Sequence, residues 1–257
     1  SGRDMTTGAA YVFYGSSSGL ATTSAWSVTR SDDCFGQNVA SADVNGDGYS
    51  DVLVAAPRKD AVWLYSGSAA GLQTTASWSQ AASASTYYGK QHHVMRAGDV
   101  NGDGYSDILT GHFESGLGAR LYQGSASGLS TTAVWSYNNF QMSAPGDVNG
   151  DGYSDVVAGY STPGLFLGSA NGLATSTAWT SPVTGNTAAA FDAGDVNGDG
   201  YADALIGVSN YTGGEYEEGK VWLYLGSSTG LLTTAAWSFE SNQVSGWLGG
   251  LDGYSRL

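Results

Sequence analysis

The sequence has little cysteine, little positive charge and no long apolar run, and each shortage excludes a class of protein. A single cysteine, Cys34, rules out a disulfide within the chain. Nine Lys and Arg stand against 23 Asp and Glu, and the formal net charge of -14 argues against nucleic acid or an anionic membrane as a partner. Because no 18 consecutive residues are apolar, no membrane-spanning helix is predicted.

Glycine, aromatic side chains and acidic residues are what the chain has instead. Its 39 glycines suit short strands joined by tight turns, and 257 residues is a length that one all-β domain can reach. With 41% hydrophobic and 12% aromatic residues the chain can bury a core, so a disordered acidic chain is excluded. More than half of the acidic residues lie in one repeated motif.

That motif is a nine-residue loop, Asp43-Val-Asn-Gly-Asp-Gly-Tyr-Ser-Asp51, which returns at 99–107, 147–155 and 195–203. Each copy has side-chain oxygen at positions 1, 3, 5 and 9, Gly at position 6, and at position 7 a tyrosine that would offer its backbone carbonyl. Calcium prefers about six to eight oxygen ligands, and alternate positions let one loop surround an ion. The predicted metal ligands are Asp43, Asn45, Asp47, Tyr49, Asp51, Asp99, Asn101, Asp103, Tyr105, Asp107, Asp147, Asn149, Asp151, Tyr153, Asp155, Asp195, Asn197, Asp199, Tyr201 and Asp203.

An EF-hand loop begins in the same way but requires a bidentate Glu at position 12. The chain has no useful ligand at that position, which is occupied by Val54, Thr110, Ala158 and Ile206. The short apolar runs after the loops favour strands rather than helices. We therefore predict that the Asp at position 9 closes each site and that the chain leaves the site as a strand.

Two further elements recur and give the number of repeats. A Gly-Leu pair is followed, six residues after the Leu, by Trp26, Trp78, Trp135, Trp179 and Trp237. An alternating apolar strand is predicted at 10–14, 62–65, 119–122, 165–167 and 221–225. In the first complete repeat, strands are predicted at 35–42, 51–56, 61–66 and 75–79. We expect each of these Trp side chains to pack between neighbouring repeats rather than to act as a sugar-stacking platform.

The repeats predict an all-β fold, a five-bladed β-propeller of four-stranded antiparallel blades. The blades are expected approximately at 35–79, 88–136, 140–180, 188–239, and 246–257 together with 8–28. Because the chain begins in mid-repeat, its N- and C-terminal segments are expected to pair and close the last blade of a single domain, 1–257. A degenerate fifth loop at Asp252 keeps one of four side-chain ligands, so no ion is predicted there.

The pattern Asp-x-Asn-x-Asp-Gly-x-x-Asp between two strands resembles the FG-GAP repeats of integrin α-subunit propellers and their bacterial relatives. In the first repeat, Phe35-Gly36 precedes the loop and Ala55-Ala56-Pro57 follows it, as in the full signature. The resemblance implies calcium in the hairpin between the first two strands of a blade. Integrin propellers have seven blades where this sequence counts five, so no integrin ligand site is carried over. Certain fungal lectins have similar calcium loops, which makes carbohydrate a second ligand class.

The four ions are expected to be structural. Three Asp within nine residues repel one another unless a cation lies among them, and calcium activates water poorly. Millimolar calcium outside the cell would fill even weak sites, which favours a secreted or cell-surface protein.

Other candidate chemistry is sparse. His92 and His93 are adjacent, so in a strand they point to opposite faces and do not form a two-His metal site. The acidic run Glu215, Glu217 and Glu218 is expected at a solvated hairpin tip. Ligand binding is expected where the repeats differ, at 85–93, 137–140 and 210–218, because these segments are rich in Tyr, Asn and Gly.

The sequence thus predicts a calcium-binding, non-enzymatic β-propeller that acts as a recognition or adhesion module. The alternative is a carbohydrate-binding lectin, and a glycan-active enzyme is a remote alternative. The expected partner is a protein or carbohydrate ligand, without nucleic acid or membrane insertion. The chain is expected to be a monomer or a module of a larger protein.

Overall fold

The computed structural model of the chain describes residues 7–31, 34–56, 61–81, 92–112, 118–139, 141–185, 188–246 and 248. These residues form twenty β-strands and no helix, so the all-β prediction is confirmed. None of them therefore belongs to an apolar helix of the length that crossing a membrane requires.

The N-terminal part of the chain forms two small sheets of two strands each. The first pairs β1 (Gly8–Val12) with β4 (Trp26–Arg30), and the second pairs β2 (Gly15–Ser16) with β3 (Gly19–Leu20). Both pairs are antiparallel. By the repeat pattern, β1 and β4 correspond to the third and fourth strands of a repeat, because β4 begins at the recurring Trp26.

Four larger sheets of four strands follow, and in each the strands lie side by side in chain order. Sheet I contains β5 (Asn38–Ala42), β6 (Asp51–Ala56), β7 (Ala61–Tyr65) and β8 (Trp78–Ala81). Sheet II contains β9 (His92–Gly98), β10 (Asp107–His112), β11 (Gly118–Tyr122) and β12 (Trp135–Tyr137). Sheet III contains β13 (Met142–Gly146), β14 (Asp155–Ala158), β15 (Gly164–Phe166) and β16 (Trp179–Thr180). Sheet IV contains β17 (Ala188–Gly194), β18 (Asp203–Val208), β19 (Lys220–Tyr224) and β20 (Trp237–Glu240).

The strand pairs of sheets I, III and IV are antiparallel, as expected for propeller blades. The predicted strand at 51–56 has the observed bounds of β6, whereas the strand predicted at 35–42 begins only at Asn38. Cys34 and Gly36, with φ of 64° and 88°, form a turn before it. The predicted outer strand at 75–79 is observed at Trp78–Ala81. The residues before it form a turn in which the N–H groups of Gln73 and Ser77 donate to the carbonyls of Ser66 and Leu64.

The contacts divide the chain into two compact units. The first consists of Ser1–Arg96, Tyr105–Ser115 and Arg120–Val134, and its main buried cluster includes Leu53, Leu64, Ile108 and Tyr122. The second consists of Ala97–Gly104, Gly116–Ala119 and Trp135–Leu257, and its buried cluster includes Val157, Leu165, Ile206 and Tyr224. In both units the second and third strands of a sheet supply most of the core, because they are apolar on both faces.

The recurring tryptophans pack against an aromatic ring of the next repeat. Ring centroids lie 5.1–5.3 Å apart, edge to face, in the pairs Trp26–Tyr65, Trp78–Tyr122, Trp135–Phe166 and Trp179–Tyr224. The indole N–H of the first three donates to the carbonyl oxygens of Gln73, Ser130 and Ala174. The predicted packing between repeats is confirmed for these four side chains, whereas Trp237 is 51% exposed.

Candidate metal centre

The four oxygen-rich loops occupy the same place in sheets I to IV, between the first and second strands. In each sheet eight residues separate these strands, and the second strand begins at the Asp of position 9. Glycines at positions 4 and 6 have φ between 68° and 92° in every copy, a conformation that other residues rarely adopt. The loop conformation thus follows from the glycine spacing in the sequence.

The carboxylate of the Asp at position 1 accepts hydrogen bonds from the peptide N–H groups of its own loop. In the first loop, Asp43 Oδ1 accepts from Gly46 at 2.8 Å and from Asp47 at 3.2 Å, and Oδ2 accepts from Gly48 at 2.9 Å. The same three bonds, at 2.6–3.1 Å, are formed by Asp99, Asp147 and Asp195. For Asp195 these N–H groups, that of Gly200 foremost, hold the carboxyl pKa below its usual value. The Asp at position 1, a predicted ligand, is therefore oriented by the loop backbone.

Positions 3 and 5 are linked by their side chains. Asn45 Oδ1 accepts from the Asp47 N–H at 3.2 Å, and Asn45 Nδ2 donates to Asp47 Oδ2 at 3.0 Å. Asp47 Oδ1 in turn accepts from the Tyr49 N–H at 2.9 Å. The third and fourth loops repeat all three bonds. Oxygen atoms of positions 1, 3 and 5 are thus all engaged with the same short stretch of backbone.

The Asp at position 9 is fully buried and ties the loop to the chain after the third strand. Asp155 Oδ2 accepts from the Val148 N–H at 2.9 Å, and Oδ1 accepts from the Gly168 N–H at 2.8 Å. Asp51 and Asp203 form the equivalent pairs of bonds. Burial raises the pKa of Asp155 to about 7 against the opposing effect of these two bonds, and burial likewise raises the pKa of Asp51. A cation beside such a carboxylate would offset its loss of hydration.

The donor chemistry of the loops fits a hard cation such as calcium. Within the described ranges, no three or more Asp, Glu, His or Cys side chains form a cluster of metal-binding geometry; in the loops the side chains bond peptide N–H groups. An ionised carboxylate offers about four lone-pair sites, so oxygens that accept an N–H keep capacity for an ion. All predicted ligands are oxygens, without nitrogen or sulfur, which suits calcium rather than zinc. The assignment of the twenty ligands remains a prediction.

A recurring Gly-Ser pair completes each loop, and the sequence analysis missed it. Gly67, Gly124, Gly168 and Gly226 donate to the Asp at position 9. The serine that follows closes the next turn, as in the bond from Ser68 Oγ to the Gly71 carbonyl at 2.8 Å. Because Gly-Ser occurs in all five repeats, beginning with Gly15-Ser16, the repeat alignment contained the signal.

Gly168→Ala is expected to destabilise the chain by roughly 1–3 kcal/mol, because an added Cβ would overpack a closed site. It would lie 2.5 Å from the Ser154 carbonyl oxygen and 2.8 Å from that of Val100. Gly214→Ala is the matched control, since nothing lies within 4 Å of its added Cβ. Urea unfolding of both variants tests the prediction, and equal midpoints would contradict it.

The prediction that Glu218 lies at a solvated hairpin tip is wrong. Its side chain is fully buried, and Oε1 accepts from the N–H groups of Gly213 at 2.7 Å and Gly214 at 2.8 Å. Although burial raises the pKa of Glu218, these N–H groups hold it below its usual value. The segment folds back on itself around this carboxylate, a contact that charge patterning does not reveal. Glu215 is exposed, as expected.

Close to Glu218 in the sequence, Lys220 connects the beginning of β19 to the end of β20. Its Nζ lies 2.5 Å from Glu240 Oε1 and about 5 Å from the ring centroids of Tyr211 and Trp222. The ion pair with Glu240 raises the pKa of Lys220. These contacts fix the base of the 210–218 segment.

The other predicted positions give less information. In the 85–93 segment only His92 and His93 fall within the described residues, as part of β9. In the 137–140 segment, the ring of Tyr137 packs against that of Phe166, with centroids 4.8 Å apart, which is a contact within the protein. Phe140 lies outside the described residues. Asp252 and most of the C-terminal segment 246–257 also lie outside them.

Comparison with known proteins identifies the family to which these repeats belong. Residues 43–110 and 117–206 match the family described as FG-GAP-like repeat, which is more than half of the chain. A stretch of 106 residues is 32% identical to integrin alpha-6 of Gallus gallus, covering 38% of this chain and 10% of that relative. The chain thus spans about a tenth of the length of this integrin subunit. All four oxygen-rich loops lie within the matched residues, and the chain belongs to the FG-GAP-like repeat family.

Proposed function

We propose that the chain is a calcium-stabilised, non-enzymatic β-propeller that serves as a recognition or adhesion module of a secreted or cell-surface protein. The observation that supports it most is the repetition of one oxygen-rich loop with the same internal hydrogen bonds. Each loop would hold one structural ion through its Asp and Asn side chains and its tyrosine carbonyl. The ion would supply the positive charge that three neighbouring Asp require.

Calcium stoichiometry tests the metal part of the proposal. After chelation and desalting, titration calorimetry is expected to show about four calcium ions bound per chain, because four loops carry the full ligand set. Magnesium serves as the control cation, since it demands a tighter octahedral site and should bind far more weakly. Binding of no calcium, or of a single ion, would contradict the proposal.

The proposed architecture has five blades, the last completed by pairing of the segments 246–257 and 8–28. Gly15 offers a test, because it occupies the repeat position of Gly168 but has nothing within 4 Å of an added Cβ. If the blade closes, we expect Gly15→Ala to cost about as much stability as Gly168→Ala, on the order of 1–3 kcal/mol. An unchanged urea midpoint for Gly15→Ala would argue against closure.

The recognition surface is proposed to include the 210–218 segment, the one variable segment that is described throughout. Glu218 and Lys220 hold its base, while Tyr216 is 63% exposed at its tip. An exposed tyrosine on a fixed loop suits a protein surface or the apolar face of a sugar. The low content of positive charge gives no support to a nucleic-acid ligand.

A lectin is the second candidate, and a glycan array separates the two. Binding to defined glycans that is lost in Tyr216→Ala would identify a lectin that uses this surface. Absence of glycan binding, with calcium present throughout, would leave a protein ligand as the proposed partner.

A further inference from the structure

Successive oxygen-rich loops touch each other through the tyrosine at position 7. A Cβ added at Gly150, position 4 of the third loop, would lie 2.7 Å from Cε1 of Tyr201 in the fourth loop. The same contact joins Gly46 to Tyr105 at 2.7 Å and Gly102 to Tyr153 at 2.6 Å. The tyrosine ring of one loop therefore lies directly against the position-4 peptide of the preceding loop.

Backbone hydrogen bonds accompany each of these ring contacts. The Ala202 N–H, next to Tyr201, donates to the carbonyl of Asp147 at 2.8 Å, and the Ser227 N–H donates to that of Val148 at 3.0 Å. Equivalent bonds, at 2.8–3.0 Å, run from Ser106 to Asp43, Ser125 to Val44, Ser154 to Asp99 and Ser169 to Val100. Positions 1 and 2 of the first three loops are thus held by the repeat that follows.

The peptide that the Tyr201 ring contacts is itself bonded to a predicted ligand, Asp147. Gly150 adopts φ of 74° and donates its N–H to Asp147 Oδ1 at 2.6 Å. The ring of Tyr201 lies against this peptide, and Asp147 is bonded at both its carboxylate and its carbonyl. Side chains that orient a ligand from outside commonly change metal affinity by about 10–100-fold.

We propose that the tyrosine at position 7 is a positioning residue for the metal site of the preceding loop. This inference rests on the proposed calcium binding. The backbone carbonyl of this tyrosine binds the ion of its own loop, while its ring packs against the preceding loop. An ion in either loop therefore orders the tyrosine contact, and this contact orders the other loop. Because such coupling is reciprocal, filling either loop raises the affinity of its neighbour.

The chain contains a matched control for this role. Tyr49 occupies position 7 of the first loop, but it is 44% exposed, and among the described residues its ring lies over no loop glycine. Its Cβ packs near Gly67 as the Cβ of Tyr201 packs near Gly226. Tyr49→Ala therefore removes the same side chain without removing the contact in question.

The test follows the amide signals of Gly152 and Gly200, at position 6 of the third and fourth loops, by NMR during calcium titration. In Tyr201→Ala we expect the midpoint of Gly152 to rise by about tenfold while that of Gly200 changes less. Tyr201→Phe should restore the Gly152 midpoint. Tyr49→Ala keeps the backbone carbonyl that is the predicted ligand of the first loop, and it should leave the Gly152 and Gly200 midpoints unchanged. A purely structural role would shift all loops together in both alanine variants.

The proposal is overturned if Gly152 titrates at the same calcium concentration in Tyr201→Ala as in the unchanged chain. It is also overturned if Tyr49→Ala and Tyr201→Ala shift the third loop equally. A failure of calcium binding itself is distinguishable, because then neither amide responds to calcium in any variant.

Discussion

Removing calcium is expected to lower the melting temperature of the chain by at least about 10 °C. Each ion bound only to the folded form at a hundredfold excess over its Kd adds about 2.7 kcal/mol of stability. Four such contributions are large beside a typical total of about 5–15 kcal/mol. The physical cause is the loop composition, three carboxylates within nine residues, and the buried Asp at position 9.

Scanning calorimetry with saturating calcium, and again with a chelator, measures this effect. Restoring calcium in excess over the chelator should return the original melting temperature, which controls for irreversible loss. Magnesium at the same concentration should recover only a small part of it. Identical melting curves with and without the chelator would show that the loops are stable without ions.

Asp155→Ala is expected to destabilise the chain by roughly 2–6 kcal/mol even in the presence of a chelator. The carboxylate of Asp155 accepts from Val148 and Gly168 inside the protein, and its removal leaves two buried N–H groups without partners. Each unsatisfied buried donor costs about 1–3 kcal/mol. The loss therefore arises from the backbone ties of position 9 and needs no ion.

Asp151→Ala separates this role from metal binding. Asp151, the predicted ligand at position 5, is exposed, so its replacement should cost less than about 1 kcal/mol in the chelator. In calcium both variants should lose one binding site. Urea unfolding of both variants under both conditions gives the four values, and equal losses in the chelator would contradict a special role for position 9.

The sequence predicted the elements whose signal lies within one loop or strand. The strand at 51–56 was placed correctly because an apolar run directly follows the Asp of position 9. The conformation of the oxygen-rich loop before it follows from the spacing of its glycines. That Trp26 packs between repeats was also predicted, since Trp recurs at a fixed distance from Gly-Leu, whereas its partner Tyr65 came from the structure.

Contacts that join distant segments were not predictable in this way. Nothing local distinguishes the buried Glu218 from the exposed Glu215, because burial depends on how the 210–219 segment folds around the N–H groups of Gly213 and Gly214. Likewise the tie from Asp155 to Gly168 joins residues thirteen apart. Its sequence signal is a common Gly-Ser pair, which becomes informative only when the five repeats are aligned.

Two of the three hairpins within a large sheet differ in how freely their lengths vary. The loop between the first and second strands has eight residues in all four large sheets, whereas the connection between the second and third strands has four residues in sheet I and eleven in sheet IV. The backbone hydrogen bonds from one repeat to the next run through the constant loops and the Gly-Ser turns. Foreign peptides grafted beside the exposed Tyr216, away from the buried Glu218, should therefore be displayed without loss of folding, which would make the chain a scaffold for engineered binders.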